Sequence, residues 1–233
     1  MTPLTSAGSS QAAVWSPDGK RIAYRGTRAG FRNIYWKPAD GTGNEERVTT
    51  SENIQTPGSW SPDGRLLAFY ETSPETGGDI WVLHLDGERK AEQFLKTPFN
   101  EIYPRFSPDG HWLAYVSDES GQNETYVQPY PGPGEKTQVS TEGGSEPVWS
   151  RNGRELFYRN GDKMMVVDVR AQPAFTAGSP RLLFEGRYEP TQTGSAGYDV
   201  SLDDQRFLMV QAAEPDQAAT QINVVLNWFQ QLK

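Results

Sequence analysis

A single phrase recurs along this chain and fixes most of what it can become. It reads Trp15-Ser16-Pro17-Asp18-Gly19, then Trp60-Ser61-Pro62-Asp63-Gly64 and Phe106-Ser107-Pro108-Asp109-Gly110. In weaker form it reads Trp149-Ser150-Arg151-Asn152-Gly153 and Val200-Ser201-Leu202-Asp203-Asp204. Successive serines stand 45, 46, 43 and 51 residues apart. A repeat of that length is a supersecondary unit that buries its apolar faces by packing on its neighbours. Five such units account for nearly all of the 233 residues, so a single domain over 1–233 is expected. Repeats define shape better than chemistry, so function has to be sought in particular side chains.

Each unit reads as four short strands. An apolar run precedes the phrase. Within it, Pro sets φ at the first central turn position, Asp bonds nearby backbone, and Gly accepts the left-handed conformation that closes the turn. In the last unit Asp204 stands at the glycine position, and Asp tolerates positive φ better than most residues. Second strands follow at 21–25, 66–70, 112–116, 155–158 and 206–210, and third strands at 33–37, 79–83, 125–127, 164–169 and 222–226. Fourth strands are expected at 47–50, 92–95, 137–140 and 181–184. Most are apolar on both faces, as suits sheets sandwiched between neighbours. The expected fold is all-β: a β-propeller of five four-stranded blades, near 7–50, 51–97, 98–141, 142–185 and 186–233. The last blade lacks a fourth strand, and Pro3-Leu4-Thr5-Ser6 resembles the tail of one. Residues 3–6 are therefore expected to pair beside 222–229 and close the ring, which removes an exposed edge. The alternative is a segment of a larger propeller, whose open edges would favour self-association; closure predicts a monomer.

Composition removes several function classes. The chain has no Cys, which excludes disulfides, thiolate metal sites and a cysteine nucleophile. A formal charge of −8, spread along the chain, argues against a nucleic-acid partner. No apolar run approaches a membrane span, and the first residues show neither the basic nor the apolar region of a signal peptide, so neither membrane insertion nor a leader is expected of this chain.

The chemistry-bearing candidates are few. His84 and His111 share no motif with carboxylates and read as surface or rim residues. The serines and aspartates of the phrase serve their own turns. In a propeller the innermost strands begin at one mouth of the central tunnel, so residues ahead of each phrase are expected to converge there. These are Gln11, Gln55, Glu101 with Tyr103, Glu146, and Ser195 with Tyr198. Amides, hydroxyls and two carboxylates can bond a ligand at the channel mouth or hold a hard divalent cation such as calcium. Glu101 and Glu146 are the catalytic candidates if the channel hydrolyses a bond, through a metal or as a carboxylate pair. The simpler alternative is that both bond backbone amides at the tunnel mouth.

The phrase followed by Arg/Lys and Ile/Leu-Ala-Tyr/Phe resembles the propeller repeats of the TolB family, over essentially the whole chain. Tyr103-Pro104-Arg105-Phe106-Ser107-Pro108-Asp109-Gly110, Tyr115-Val116-Ser117-Asp118-Glu119-Ser120-Gly121 and Val224-Val225-Leu226-Asn227-Trp228-Phe229 are similar to the C-terminal propellers of bacterial membrane-bound serine/threonine kinases and related regulators. The chain itself has neither a glycine-rich phosphate loop nor a His-Arg-Asp catalytic loop, so kinase activity does not carry over. The resemblance implies a sensor or scaffold, with a protein or small-molecule partner, in a periplasmic or other extracytoplasmic setting. Two functions stand side by side: a non-catalytic binding module, and a hydrolase of an ester, phosphoester, lactone or glycoside.

Overall fold

The computed structural model describes residues 4–5, 8–172, 174–189 and 194–211, and the backbone of 223–226. Among these the secondary structure is β throughout. The first blade runs β1 (Ser9–Trp15), β2 (Arg21–Arg28), β3 (Phe31–Pro38) and β4 (Glu46–Arg47), each paired antiparallel with the next. The second holds β5 (Ile54–Trp60), β6 (Leu66–Ser73), β7 (Gly77–His84) and β8 (Lys90–Leu95), and the third β9 (Ile102–Phe106), β10 (Trp112–Ser117), β11 (Glu124–Pro129) and β12 (Thr137–Gln138). In the fourth, β13 (Ser145–Trp149), β14 (Glu155–Asn160) and β15 (Lys163–Arg170) are followed by a split outer element, because both β16 (Thr176–Ala177) and β17 (Arg181–Glu185) pair with β15. The last sheet is β18 (Tyr198–Val200), β19 (Arg206–Met209) and β20 (Asn223–Leu226).

The phrase builds one turn five times. Ser16 Oγ donates to Asp18 Oδ1 at 2.6 Å and accepts the amide of Arg21 at 2.9 Å, while the amide of Lys20 donates to the same Asp18 oxygen at 3.0 Å. Ser61, Ser107 and Ser201 repeat the pattern with Asp63, Asp109 and Asp203, and Ser150 does so with Asn152. Gly19, Gly64, Gly110 and Gly153 take φ between 68° and 76°, and Asp204 takes φ 57° in their place. The aspartates are therefore turn residues, held below the ordinary aspartate range first by the serine hydroxyl and then by the backbone amide at Asp18, Asp63 and Asp203.

A second repeated device lies four residues before the phrase serine. Ala12, Tyr103 and Glu146 all sit there with φ near 55° (54°, 58° and 55°), and the strand pairing slips by a residue at the same place. In the second blade the slip falls between Pro57 and Ser59, around Gly58. These are β-bulges in the innermost strands of the first four blades, and they re-aim the side chains on either side.

The core lies in the seams between blades. Val14, Ala23, Ile34 and Trp36 meet Trp60, Leu67, Phe69 and Leu83. Ala68, Ile80 and Val82 meet Phe106, Leu113 and Tyr115. Ala114, Val127 and Val139 meet Trp149, Leu156 and Val167. Phe157, Met164 and Leu183 meet Tyr198, Val200, Phe207 and Met209. Each fully buried Leu, Ile or Phe contributes about 1.5–3 kcal/mol of transfer free energy. The indole N–H groups tie the seams: Trp60 donates to the carbonyl of Val14 at 3.4 Å, and Trp149 to that of Arg105 at 3.1 Å.

Of the segments expected to close the ring, Leu4, Thr5 and the backbone of 223–226 are described, and the rest lies outside the described residues. Leu4 packs on Ile22, Tyr24 and Tyr35, the face of the first blade turned away from the second, and its carbonyl accepts Lys37 Nζ at 2.9 Å.

Candidate functional site

The innermost strands surround an axial cavity of about 710 Å³. Its lining comes from all five units, at the turn ends of the strands rather than their beginnings: 13–17, 59–60 with Pro62, 105–108, 148–151, and 195–196 and 198–200 with Asp204. The other end is occupied by the protein's own chain. The stretch Gly194–Gly197 bonds the fourth blade, where Glu146 Oε2 accepts the Gly197 amide at 2.7 Å. It also abuts the second blade so closely that a Cβ on Gly194 would lie 2.0 Å from Tyr70 Oη. Ser195 and Ala196 form the floor of the cavity, which opens towards the turns. A larger concavity of about 1280 Å³ lies between the outer parts of the third and fourth blades, around 152–155 and 168–172. It draws on two blades only, which makes the axial cavity the better candidate site.

The bulges govern which side chains approach the axis. Tyr103 tilts against Tyr70, ring centroids 6.4 Å apart, and burial together with the nearby Glu146 carboxylate pushes its hydroxyl pKa up. Tyr198 donates to the carbonyl of Glu146 at 2.9 Å and is likewise raised by burial and by Glu146. Tyr103, Glu146 and Tyr198 thus come together, and Tyr198 also lines the cavity.

Gln11, Gln55 and Glu101 have other surroundings. Arg25 bonds Gln11 and reaches Thr56 Oγ1 at 3.0 Å. Gln55 is buried in the seam below the first blade, where its Oε1 accepts from Asn33 at 3.2 Å and from Thr49 at 2.5 Å, and its amide donates to Glu71 at 2.8 Å. Glu101 is only 1% exposed, in the seam between the second and third blades. Thr97 donates to its Oε1, while its Oε2 has no hydrogen-bond partner and neither has Oδ1 of buried Asp79. Desolvation raises the Glu101 pKa, and the charges of Asp79 and Glu119 add to the rise. The charges acting on Glu101 are therefore not those around Glu146. Among the described residues no three His, Asp or Glu side chains gather at metal-ligand spacing.

The residue that sequence reasoning missed is Arg105. It lines the cavity two positions before Ser107, where the other units carry Val14, Ser59, Val148 and Asp199. Desolvation lowers the hold of its guanidinium on its proton, opposed by Tyr198, Asp199 and Glu146. The signal was present in the sequence as a charged residue at a position that two blades fill with Val. Trp15 is the second such departure. It is 60% exposed and lines the cavity, whereas Trp60 and Trp149 at the same repeat position are each 8% exposed.

No family model matches the chain. An uncharacterized protein of Agrobacterium fabrum is 32% identical over 157 residues, 62% of this chain and 52% of that protein. The Tol-Pal system protein TolB of Desulfosudis oleivorans is 35% identical over 108 residues, 46% of this chain and 24% of that protein. The chain thus spans about half the length of the first relative and about a quarter of the second. Among solved structures, TolB from Acinetobacter baumannii superposes with a TM-score of 0.70 at 19% identity, over 90% of this chain and 51% of that one. A gluconolactonase from Xanthomonas campestris gives 0.58 at 15% identity, over 87% and 69%. The fold is a TolB-like β-propeller. It is shared by proteins of different function, so the site has to supply the function.

Proposed function

We propose that this chain is a non-catalytic propeller module that takes a small ligand, or a segment of a protein partner, into the turn end of its axial cavity. One observation carries this reading: a cavity lined by all five repeated phrases, with the blade-five stretch Gly194–Gly197 as its floor. Its volume falls within the range of small-molecule pockets, roughly 300–1,000 Å³. The partial identity to TolB and the repeat resemblance favour a sensor or scaffold role in an extracytoplasmic setting, within a parent protein of the TolB-like or kinase-linked kind. The same reading keeps a monomeric five-blade ring closed by residues 3–6, favoured by Leu4 lying on the face of the first blade that the last blade would cover.

The alternative is hydrolysis in the channel, with Glu146 or Glu101 as the working carboxylate and a divalent cation such as calcium as the helper. It draws on the charge of Glu146 acting on the Tyr103 and Tyr198 hydroxyls, and on the bond from Tyr198 to the Glu146 carbonyl. Against it, Glu101 and Glu146 are 1% and 5% exposed, and a general acid or base must reach its substrate. The deciding experiment offers the protein esters, phosphoesters, lactones and glycosides while a thermal-shift screen measures binding. Melting shifts without turnover are expected. Turnover that disappears with a chelator or in Glu146→Gln would replace the binding module with an enzyme.

A further inference from the structure

We propose that the axial cavity is an anion site, in which Arg105 receives the carboxylate or phosphate group of a small molecule entering from the turn end. This rests on the channel-binding reading above and adds the ligand's charge class. The guanidinium carries five N–H donors in a fixed fork that matches a carboxylate or phosphate in bidentate fashion. Among the described residues no hydrogen bond, and no ion pair within 4.0 Å, holds it. The groups nearest in charge are already engaged in part. Glu146 Oε2 accepts the Gly197 amide at 2.7 Å, Asp199 Oδ1 accepts the Val200 amide at 2.8 Å, and the Tyr198 hydroxyl donates to the Glu146 carbonyl.

A half-buried cation without a bonding partner does not stabilise a fold, so the arginine is better explained by a role in the cavity. The repeat supplies an internal control. Val14, Ser59 and Val148 occupy the position of Arg105 in other blades, so blade packing does not require an arginine there. No acceptor among the described residues saturates the fork, and Arg105 is part of the cavity lining. Trp15 lines the same cavity with its indole exposed, which provides a surface for the remainder of the ligand. The favoured ligand is therefore a small oxyanion with an apolar or planar body.

The test is calorimetric titration of the full chain at low ionic strength with inorganic phosphate, citrate and benzoate, and with glucose and spermidine as neutral and cationic probes. Saturable binding of at least one oxyanion at one site per chain is expected. Phosphate alone would assign a phosphate ligand, and citrate or benzoate alone a carboxylate. Arg105→Gln should weaken that binding about ten-fold or more, since hydrogen bonds to a charged group are involved. Arg65→Gln, which removes an exposed arginine paired with Asp86 at 2.5 Å, should leave it within about two-fold. The ligand-free Arg105→Gln protein should also melt at a higher temperature than wild type, which a purely structural arginine would not allow. If Arg105→Gln fails to fold, Arg105→Lys keeps the charge, loses the fork and should bind several-fold more weakly. Equal oxyanion binding by Arg105→Gln and wild type overturns the proposal. Glucose or spermidine binding without any oxyanion binding overturns it too, but leaves the channel-binding reading standing. Silence from all five probes counts against both.

Discussion

Glu101 keeps one carboxylate oxygen without a hydrogen bond inside the protein, and Oδ1 of Asp79 is in the same position. A buried orphan acceptor is costly, and a protonated carboxyl or an amide would relieve it. Because burial raises the folded-state pKa of Glu101 above its ordinary 4.5, its contribution to stability is lost as the pH rises above that value. Glu101→Gln should therefore raise the melting temperature at pH 7 and flatten the pH dependence between 4.5 and neutrality. A melting series across that range checks it. A lower melting temperature at pH 7 would mean that the carboxylate is bonded in solution. The turn aspartates carry the opposite sign. Asp18, Asp63 and Asp203 are held below 3.8, so their contribution is present above that value and lost as the pH falls through the folded-state pKa.

The turn is the element that the sequence expressed most fully. Ser, Asp and Gly each fill the role their chemistry implies, and even the Asp204 replacement adopts the left-handed φ expected of it. Removing the hydroxyl in Ser107→Ala strands the amide of Trp112, which donates to it at 3.0 Å, and should cost about 1–2 kcal/mol. Ser201→Ala, in a more exposed turn, should cost less; denaturant titrations of the pair measure the difference. The bulge was not legible, because left-handed φ at Ala12, Tyr103 and Glu146 leaves no mark in residue type. A one-residue slip inverts which side chains face the axis, and this is why counting back from the phrase reached Ser195 and Tyr198 of the cavity lining but not Arg105. Gln55 and Glu101, upstream of the slip, lie in blade seams, while Arg105, downstream of it, reaches the cavity. The seams are close-packed enough to be tested by one carbon. A Cβ at Gly58 would lie 2.4 Å from the carbonyl of Pro104, so Gly58→Ala should destabilise by about 1–3 kcal/mol.

At the scale of the molecule, the serine spacing made the blade order readable, since every blade repeats one pattern and packs on the next. Ring closure was readable only as complementarity of the two ends. Deleting residues 1–6 should lower the melting temperature or promote oligomers if they complete the last blade; an unchanged melt and a monomeric elution would count against closure. The cavity was not readable, because its floor is made by Gly194–Gly197, a stretch without strand pattern that abuts a blade distant in sequence. The most direct measurement fills the cavity from within. Ala13 lines it and is exposed, so Ala13→Trp should block it without disturbing a seam. In a thermal-shift screen, every small molecule that stabilises the wild type should lose its effect on Ala13→Trp, whose own melting temperature stays within about 2 °C, less than the shift expected from 1 kcal/mol. Shifts that survive the block would put binding elsewhere on the protein and contradict the account.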